Sequence, residues 1–296
     1  SSSGGVAIGQ LMLGSADYDF ERMGHNSPES IHVMTELMRR VYADRATHLG
    51  DMDYYDVPLE MLLDPEYIGE RNADISMEQA TPSGDIKEGK VERIESFETT
   101  HFSIVDAMGT AVSITTTINS YYGSKVMVQG GGFFLNNEMN DFSIQPGVPN
   151  QFGLVGGEAN AIAGGKRMLS SMSPTIVEKN GALFMVLGTP GGSTIITNVY
   201  QVMMNVLTHG MSLQEAVDAP KMHAQWLPDI ITLEEGVIDD AGKQRLEEMG
   251  HALQESPQIG RMQAIRVHPD DGIGARRQLE GAADITRTGD SAARGF

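Results

Sequence analysis

Thr99-Thr100-His101-Phe102-Ser103-Ile104-Val105, then Asp106-Ala107-Met108-Gly109, then Ala111-Val112-Ser113-Ile114-Thr115-Thr116-Thr117-Ile118: this run reads as two strands about a tight turn. β-Branched residues fill both flanks, and an aspartate and a glycine bracket the reversal, the pattern of a β-hairpin. Folding back near residue 108 returns Thr117 to the side of Thr99. Strand alternation then puts Thr115 and Thr117 on one face and Thr116 on the other.

The chain changes character at Thr99. Before it, residues 27–49 predict a helix, with Ser27 as cap, Pro28 and Glu29 in the first turn, and Ile31, Met34, Leu37, Met38 and Val41 at helical spacing before Gly50. Residues 51–98 are acidic and broken by Pro58, Pro65 and Pro82, which predicts short helices and an exposed connector over residues 81–98. After the hairpin, Asn180-Gly181 between residues 175–178 and 183–187 signals a second hairpin. A helix is expected over 194–207, a capping box at Ser212-Leu213-Gln214-Glu215, strands near 230–233 and 262–267, and a short helix around 241–249. Strand pairs followed by helix pairs predict an α+β fold of layered sheets rather than repeated βαβ units.

Composition narrows the chemistry. The 296 residues carry 21 Lys and Arg against 40 Asp and Glu, a net charge of −19, which argues against general nucleic-acid binding. With no cysteine there is no disulfide, no thiolate metal site and no cysteine nucleophile. The eight histidines show no metal-ligand spacing, so no metal is assigned. No run of 18 apolar residues predicts a membrane span. The opening Ser1-Ser2-Ser3-Gly4-Gly5 reads as a processed chain or one whose first part is missing.

Six segments could carry chemistry, and each has an ordinary structural reading as well. Thr99 either begins a strand or, if the Glu98–Thr99 bond is cut, becomes a nucleophile with its own α-amine as base, since that amine has a pKa of about 7.7–8.0. Thr117 and Asn119 close the partner strand. Asn136-Asn137-Glu138-Met139-Asn140-Asp141 is a polar turn whose two carboxylates could hold an amine. Pro146–Gly157, with Phe152 among Gly and Pro, is a surface loop or a lid. Ser170-Ser171 before a strand could offer hydroxyls to a carboxylate. Gly191-Gly192 at a helix entry is a plain turn or an oxyanion hole.

Together and in this order, these segments resemble the γ-glutamyltranspeptidase family. Thr99–Asp106 resembles the start of its small subunit, and Thr117-Ile118-Asn119, Asn136–Phe142, Ser170–Pro174 and Gly191-Gly192-Ser193 resemble its later motifs. The pattern departs at Gly274-Ala275-Arg276-Arg277, at Phe152 in place of a frequent tyrosine, and at Thr194 in place of a common arginine. The resemblance implies the four-layer αββα sandwich of N-terminal nucleophile hydrolases. It implies a precursor cut into large and small subunits between Glu98 and Thr99. Residues 1–98 would then be the end of the large subunit and 99–296 the small subunit.

The resemblance also implies roles. Thr99 is the nucleophile and Thr117 supports its hydroxyl. Asn119, Glu138 and Asp141 hold the donor's α-amine, Ser170 and Ser171 its α-carboxylate, and Gly191 and Gly192 the oxyanion. A carboxylate-binding arginine is expected from an earlier part of the large subunit. The implied activity is γ-glutamyl transfer from glutathione or another γ-glutamyl amide to water, an amino acid or a peptide, with no cofactor, in the periplasm or outside the cell. The alternatives are a cephalosporin (glutaryl) acylase of the same fold, or an inactive fragment.

Overall fold

Ser27 fixes the start of the long helix: its Oγ accepts from Ser30 N at 3.1 Å, and Pro28 fills a first-turn position that needs no N–H. The computed structural model describes residues 1–86, 99–148, 150, 154–268, 278–285 and 291–295. Two helices precede Ser27, α1 (Gly4–Ser15) and α2 (Phe20–Met23), so the helix it caps is α3 (Pro28–His48). The sequence gives no sign of α1, whose cap Ser3 makes no side-chain capping bond. Burial holds it instead, with Ala7, Ile8 and Leu11 in the main core beside Leu37 and Val199.

Short helices α4 (Leu59–Leu62) and α5 (Pro65–Asn72) follow as expected, the second capped by Asp64 accepting from Glu66 N at 2.8 Å. The connector does not begin as an exposed strip. Ala80, Ser83 and Ile86 are buried, and Ser83 O accepts from Trp226 Nε1 at 3.0 Å while Ser83 N donates to Asp229 Oδ2 at 2.8 Å. Glu98, the residue before the expected cut, lies outside the described residues, as does Gly274–Arg277.

The first hairpin is β1 (Thr99–Val105) and β2 (Ala111–Thr117), in antiparallel register from Thr99↔Thr117 to Val105↔Ala111. Asp106 Oδ1 builds the turn by accepting from Met108 N and Thr110 N at 2.9 and 2.8 Å. The second hairpin is β3 (Thr175–Lys179) and β4 (Ala182–Gly188), with Asn180 and Gly181 both at positive φ as a type I′ turn requires. Then come α6 (Thr194–Leu207) and α7 (Leu213–Asp218), the latter opened by the Ser212/Glu215 capping box. The rest is β5 (Met222–His223), β6 (Ile231–Glu234), α8 (Asp240–Glu248), β7 (Leu253–Ser256), β8 (Gln263–Val267) and β9 (Leu279–Ala283).

Among the described residues, β3-β4-β8-β9 form one antiparallel sheet and β5-β6-β7 another. In the second, β6 and β7 are parallel and joined through α8, a βαβ crossover that the layered expectation did not include. One face of the larger sheet, through Met185, Leu187, Ala264 and Ala282, packs into the core with Ile196, Val199 and Val217 from the helices. On the other lies the β1–β2 hairpin: Ser113 Oγ donates to Leu187 O at 3.2 Å, and the His101 ring occupies the space above Gly188. Helices, sheet and hairpin are thus successive layers of a mixed α+β fold. The outer side of the hairpin leaves Phe102, Ile104, Val112 and Ile114 exposed.

A buried ionic network ties α3 to the later chain. Glu36 accepts from Arg39 at 2.9 Å and Arg40 at 2.6 Å, and Arg39 reaches Asp229 at 2.5 Å. His32 and His251 share a 2.7 Å hydrogen bond beside it. Breaking one member leaves an unpaired buried charge, which costs about 3–5 kcal/mol in comparable pairs.

Candidate active site

The hairpin register places Thr99 directly across from Thr117 at the open end of the ladder. Thr117 Oγ1 accepts from Asn119 N at 2.9 Å, so the strand end turns sharply and Asn119 adopts φ +74. Asn119 is buried, and its Nδ2 donates to Asn137 O at 3.1 Å. Asn137 in turn accepts from Ser120 N and donates to Ser120 Oγ, both at 3.0 Å. The polar turn is therefore laced to the end of β2.

That turn is a single 3₁₀ turn, Glu138–Asp141, and Asn160 Nδ2 holds the Asp141 carbonyl at 2.7 Å. Burial raises the carboxyl pKa of both acids. For Asp141 it reaches about 7, with Arg45 pulling it down and Glu138 pushing it up. A carboxyl so placed gains from a cation brought beside it.

Ser170 is paired to the first residues of the chain: Ser3 N donates to Ser170 O at 2.9 Å and Ser170 N to Ser1 O at 3.2 Å. Both serine hydroxyls are already used as acceptors. Ser170 Oγ accepts from Met172 N at 2.9 Å, and Ser171 Oγ accepts from Arg45 Nη2 at 3.2 Å. Neither hydroxyl donates to any group among the described residues, so both O–H bonds remain to serve an acceptor.

Between β4 and α6 the backbone turns through Gly191 at φ +142 and Gly192 at φ +55. A Cβ on Gly191 would lie 2.5 Å from Thr194 Oγ1, so glycine is required there. Thr194 Oγ1 and N both donate to Gly191 O, at 2.8 and 3.0 Å, which fixes the turn without an arginine. Among the described residues, neither the Gly191 nor the Gly192 N–H donates to a protein acceptor. Free amides at a helix entry stabilise a developing oxyanion.

These groups converge. Thr99, Thr117, Asn119, Asp141, Ser170, Ser171 and Gly192 line one cleft. Glu138 and Gly191 flank it through their neighbours Asp141 and Gly192 without lining it. Phe152 lies outside the described residues, whereas Asn150 and Leu154 of the same loop line the cleft. Leu154 and Met172 add apolar lining to the same cleft.

Sequence reasoning missed Arg45. It is buried on α3, lines the cleft, donates to Ser3 Oγ at 2.9 Å as well as to Ser171, and lowers the Asp141 pKa. Its signal was present: Met34, Met38, Val41 and Arg45 follow one helical stripe, so an arginine falls on the face that packs inward. Three residues earlier Tyr42 donates to Ser193 O at 2.5 Å, and α3 thus touches both loops of the cleft.

His101 shares the face of Thr99 but takes no part in the cleft. Its ring nitrogens bond Thr115 Oγ1 at 2.8 Å and Ser103 Oγ at 3.0 Å, and burial lowers its pKa to about 4. His32, Glu36 and His251 gather within 4.8 Å of one another, which sequence spacing could not reveal. His32 Nε2–H donates to Ser76 O, the lone pairs of the group are spent on each other and on the Arg39 and Arg40 guanidiniums, and a guanidinium at that point repels a metal ion.

Comparison with known proteins gives the same direction. The model of the family described as gamma-glutamyltranspeptidase matches residues 1–294. The glutathione hydrolase proenzyme of Escherichia coli is 42% identical over 283 residues, which is 96% of this chain and 48% of that protein. The chain thus spans about half the length of the curated relatives it matches. A solved γ-glutamyltranspeptidase of Helicobacter pylori, a T380A mutant, is 49% identical with a TM-score of 0.61, covering 64% of this chain and 100% of that one. A cephalosporin acylase from Bacillus halodurans shares the fold, with a TM-score of 0.79 at 24% identity over all of this chain and 50% of its own.

Proposed function

Because this chain belongs to the γ-glutamyltranspeptidase family, we propose that its cleft binds and transfers a γ-glutamyl group, with Thr99 as the nucleophile. One observation carries this reading. A single cleft gathers the Thr99 strand end, a carboxyl that burial leaves short of a cation, and two serine hydroxyls preset to donate. A γ-glutamyl group carries an ammonium and a carboxylate on one carbon, and these groups match them in sign and donor type.

The chemistry follows from the placement. The precursor is cut between Glu98 and Thr99, giving residues 1–98 and 99–296 as two subunits. In support, the H. pylori chain is matched in full by about two-thirds of this one. Thr99 then has an α-amine to take its hydroxyl proton. Thr117, across the ladder, orients the hydroxyl. The γ-carbonyl carbon of glutathione or a similar donor accepts Oγ, and the Gly191 and Gly192 amides hold the oxyanion. The amine leaves with the proton from the α-ammonium. Water or an amino group then takes the γ-glutamyl group from the threonyl ester. None of these steps calls on a metal or an organic cofactor.

No described helix is long and apolar enough to cross a membrane. We place the enzyme in the periplasm or outside the cell.

A glutaryl donor, as for a cephalosporin acylase, has no α-amine and would leave Asp141 without its cation. The test is release of p-nitroaniline from γ-glutamyl-p-nitroanilide against glutaryl-p-nitroanilide. Preference for the first supports the proposal; preference for the second replaces it with the acylase reading.

A further inference from the structure

Two peptide units stand between α3 and the cleft, and hydrogen bonds join them in series. Tyr42 Oη donates to Ser193 O at 2.5 Å. That carbonyl belongs to the same planar unit as the Thr194 N–H, which donates to Gly191 O at 3.0 Å. The Gly191 carbonyl in turn shares its unit with the N–H of Gly192, a residue that lines the cleft. A trans peptide holds its C=O and N–H pointing in opposite directions. With the Gly191 carbonyl turned toward Thr194, the Gly192 N–H is turned away from it. That N–H donates to no protein acceptor among the described residues.

A second arm reaches the same carbonyl. Thr194 Oγ1 donates to Gly191 O at 2.8 Å and accepts from Asn198 Nδ2 at 3.4 Å. Asn198 is held in turn by donating to Ile259 O at 3.2 Å. The head of the chain is equally fixed. Tyr42 is buried, and its ring meets His223 edge to face with centroids 5.9 Å apart. Burial pushes its phenol pKa well above the ordinary tyrosine value, so the hydroxyl keeps its proton to donate. Ser193 stands at the N-cap of α6 yet makes no capping bond with its side chain, so the helix entry is held through its carbonyls instead. Neither Tyr42 nor Thr194 lines the cleft.

We infer that Tyr42 and Thr194 are positioning residues that aim and polarise the Gly192 N–H for the oxyanion. The inference rests on the acyl-transfer reading above and extends it to two residues outside the cleft. Each bond a carbonyl oxygen accepts draws electron density onto that oxygen and leaves the N–H of its unit a stronger donor. The effect passes from the Tyr42 hydroxyl through the Thr194 N–H to the Gly192 N–H. The same bonds fix the peptide plane before the reaction, so no reorientation is needed as charge develops on the substrate oxygen. The gain falls on the tetrahedral state and not on the bound γ-glutamyl group. It therefore shows in kcat and leaves KM alone.

The test uses Y42F, which removes one hydroxyl and keeps the ring, and the pair T194V and T194S. Release of p-nitroaniline from γ-glutamyl-p-nitroanilide is measured per chain that begins at Thr99, so incomplete cutting does not enter the rate. Two inhibitors separate the tetrahedral state from plain binding. One is glutamate. The other is its analogue with a boronic acid in place of the γ-carboxyl. The Thr99 hydroxyl adds to boron, its proton passes to the α-amine, and the boron becomes tetrahedral and anionic. For Y42F, kcat is expected to fall about tenfold with KM unchanged. Boronate inhibition should weaken by the same factor, and glutamate inhibition should not move. T194V should behave like Y42F, and T194S should recover most of the rate that T194V loses. A Y42F rate equal to wild type overturns the inference. Equal weakening of both inhibitors also overturns it, since that marks a general structural role. If Y42F does not fold or is not cut, T194V against T194S decides, and equal rates for the two overturn the inference. Absence of p-nitroaniline release from the wild type overturns the acyl-transfer reading, and this inference with it.

Discussion

Arg45 Nη2 donates to Ser171 Oγ at 3.2 Å, joining the inward face of α3 to the serine pair of the cleft. The same buried guanidinium lines the cleft together with Asp141 and lowers the Asp141 pKa. On the proposed reading it orients a hydroxyl toward the donor's carboxylate and draws down the pKa of the carboxyl that meets the donor's ammonium.

Replacing Arg45 by Gln should therefore raise the donor KM by about tenfold with a smaller effect on kcat. It should also move the pH midpoint of that KM upward, because Asp141 loses the group that holds its pKa down. A purely structural arginine would lower activity without moving the midpoint. Steady-state kinetics across pH on wild type, R45Q and R45K distinguishes the two.

Burial raises the Asp141 pKa to about 7, so the carboxyl is charged above that pH and neutral below it. Donor KM should fall as pH rises from 6 to 8, and D141N should have a high KM that no longer responds. A wild-type KM flat over that range would remove Asp141 as the ammonium partner.

Gly188 is the floor beneath the His101 ring. A Cβ there would lie 2.3 Å from His101 Cε1, well inside contact distance. G188A should cost about 1–3 kcal/mol by overpacking and lower Tm by several degrees, read by calorimetry. G147A, where a Cβ meets nothing within 4 Å but φ is +81, should cost less, through backbone strain alone.

His101 and His251 are buried with pKa values lowered to about 4 and about 3, from 6.5. The folded state binds fewer protons at these sites than the unfolded state between those values and 6.5. Stability should therefore fall as pH drops from about 6.5 toward 4. Asp141 works in the opposite sense over part of the range, since its raised pKa favours the folded state at low pH. Denaturant midpoints across pH, compared in wild type, H101Q and D141N, should show a shallower acid loss in H101Q and a steeper one in D141N.

Much of this was readable in advance where chemistry is local. The Thr99↔Thr117 register followed from one turn and strand alternation, and the Asn180-Gly181 hairpin and the Ser212 capping box from their own residues. What was missed depends on distant partners. α1 has weak local signals and is held by packing; β7 and β9 are short and find their places only beside β6 and β8. Arg45 looked like an ordinary helix charge until Ser171, 126 residues away, came to meet it. The first part of the connector looked solvated because Trp226 and Asp229, which bury it, come much later in the chain.

The central claim is that Thr99 becomes an N-terminal nucleophile, and one measurement tests it most directly: a denaturing gel with N-terminal sequencing of the purified protein and its T99A variant. The account predicts that the wild type yields a fragment beginning Thr99-Thr100-His101, while T99A stays uncut and inactive. A wild type that remains one chain while releasing p-nitroaniline, or a T99A variant that is cut at the same bond, would contradict it.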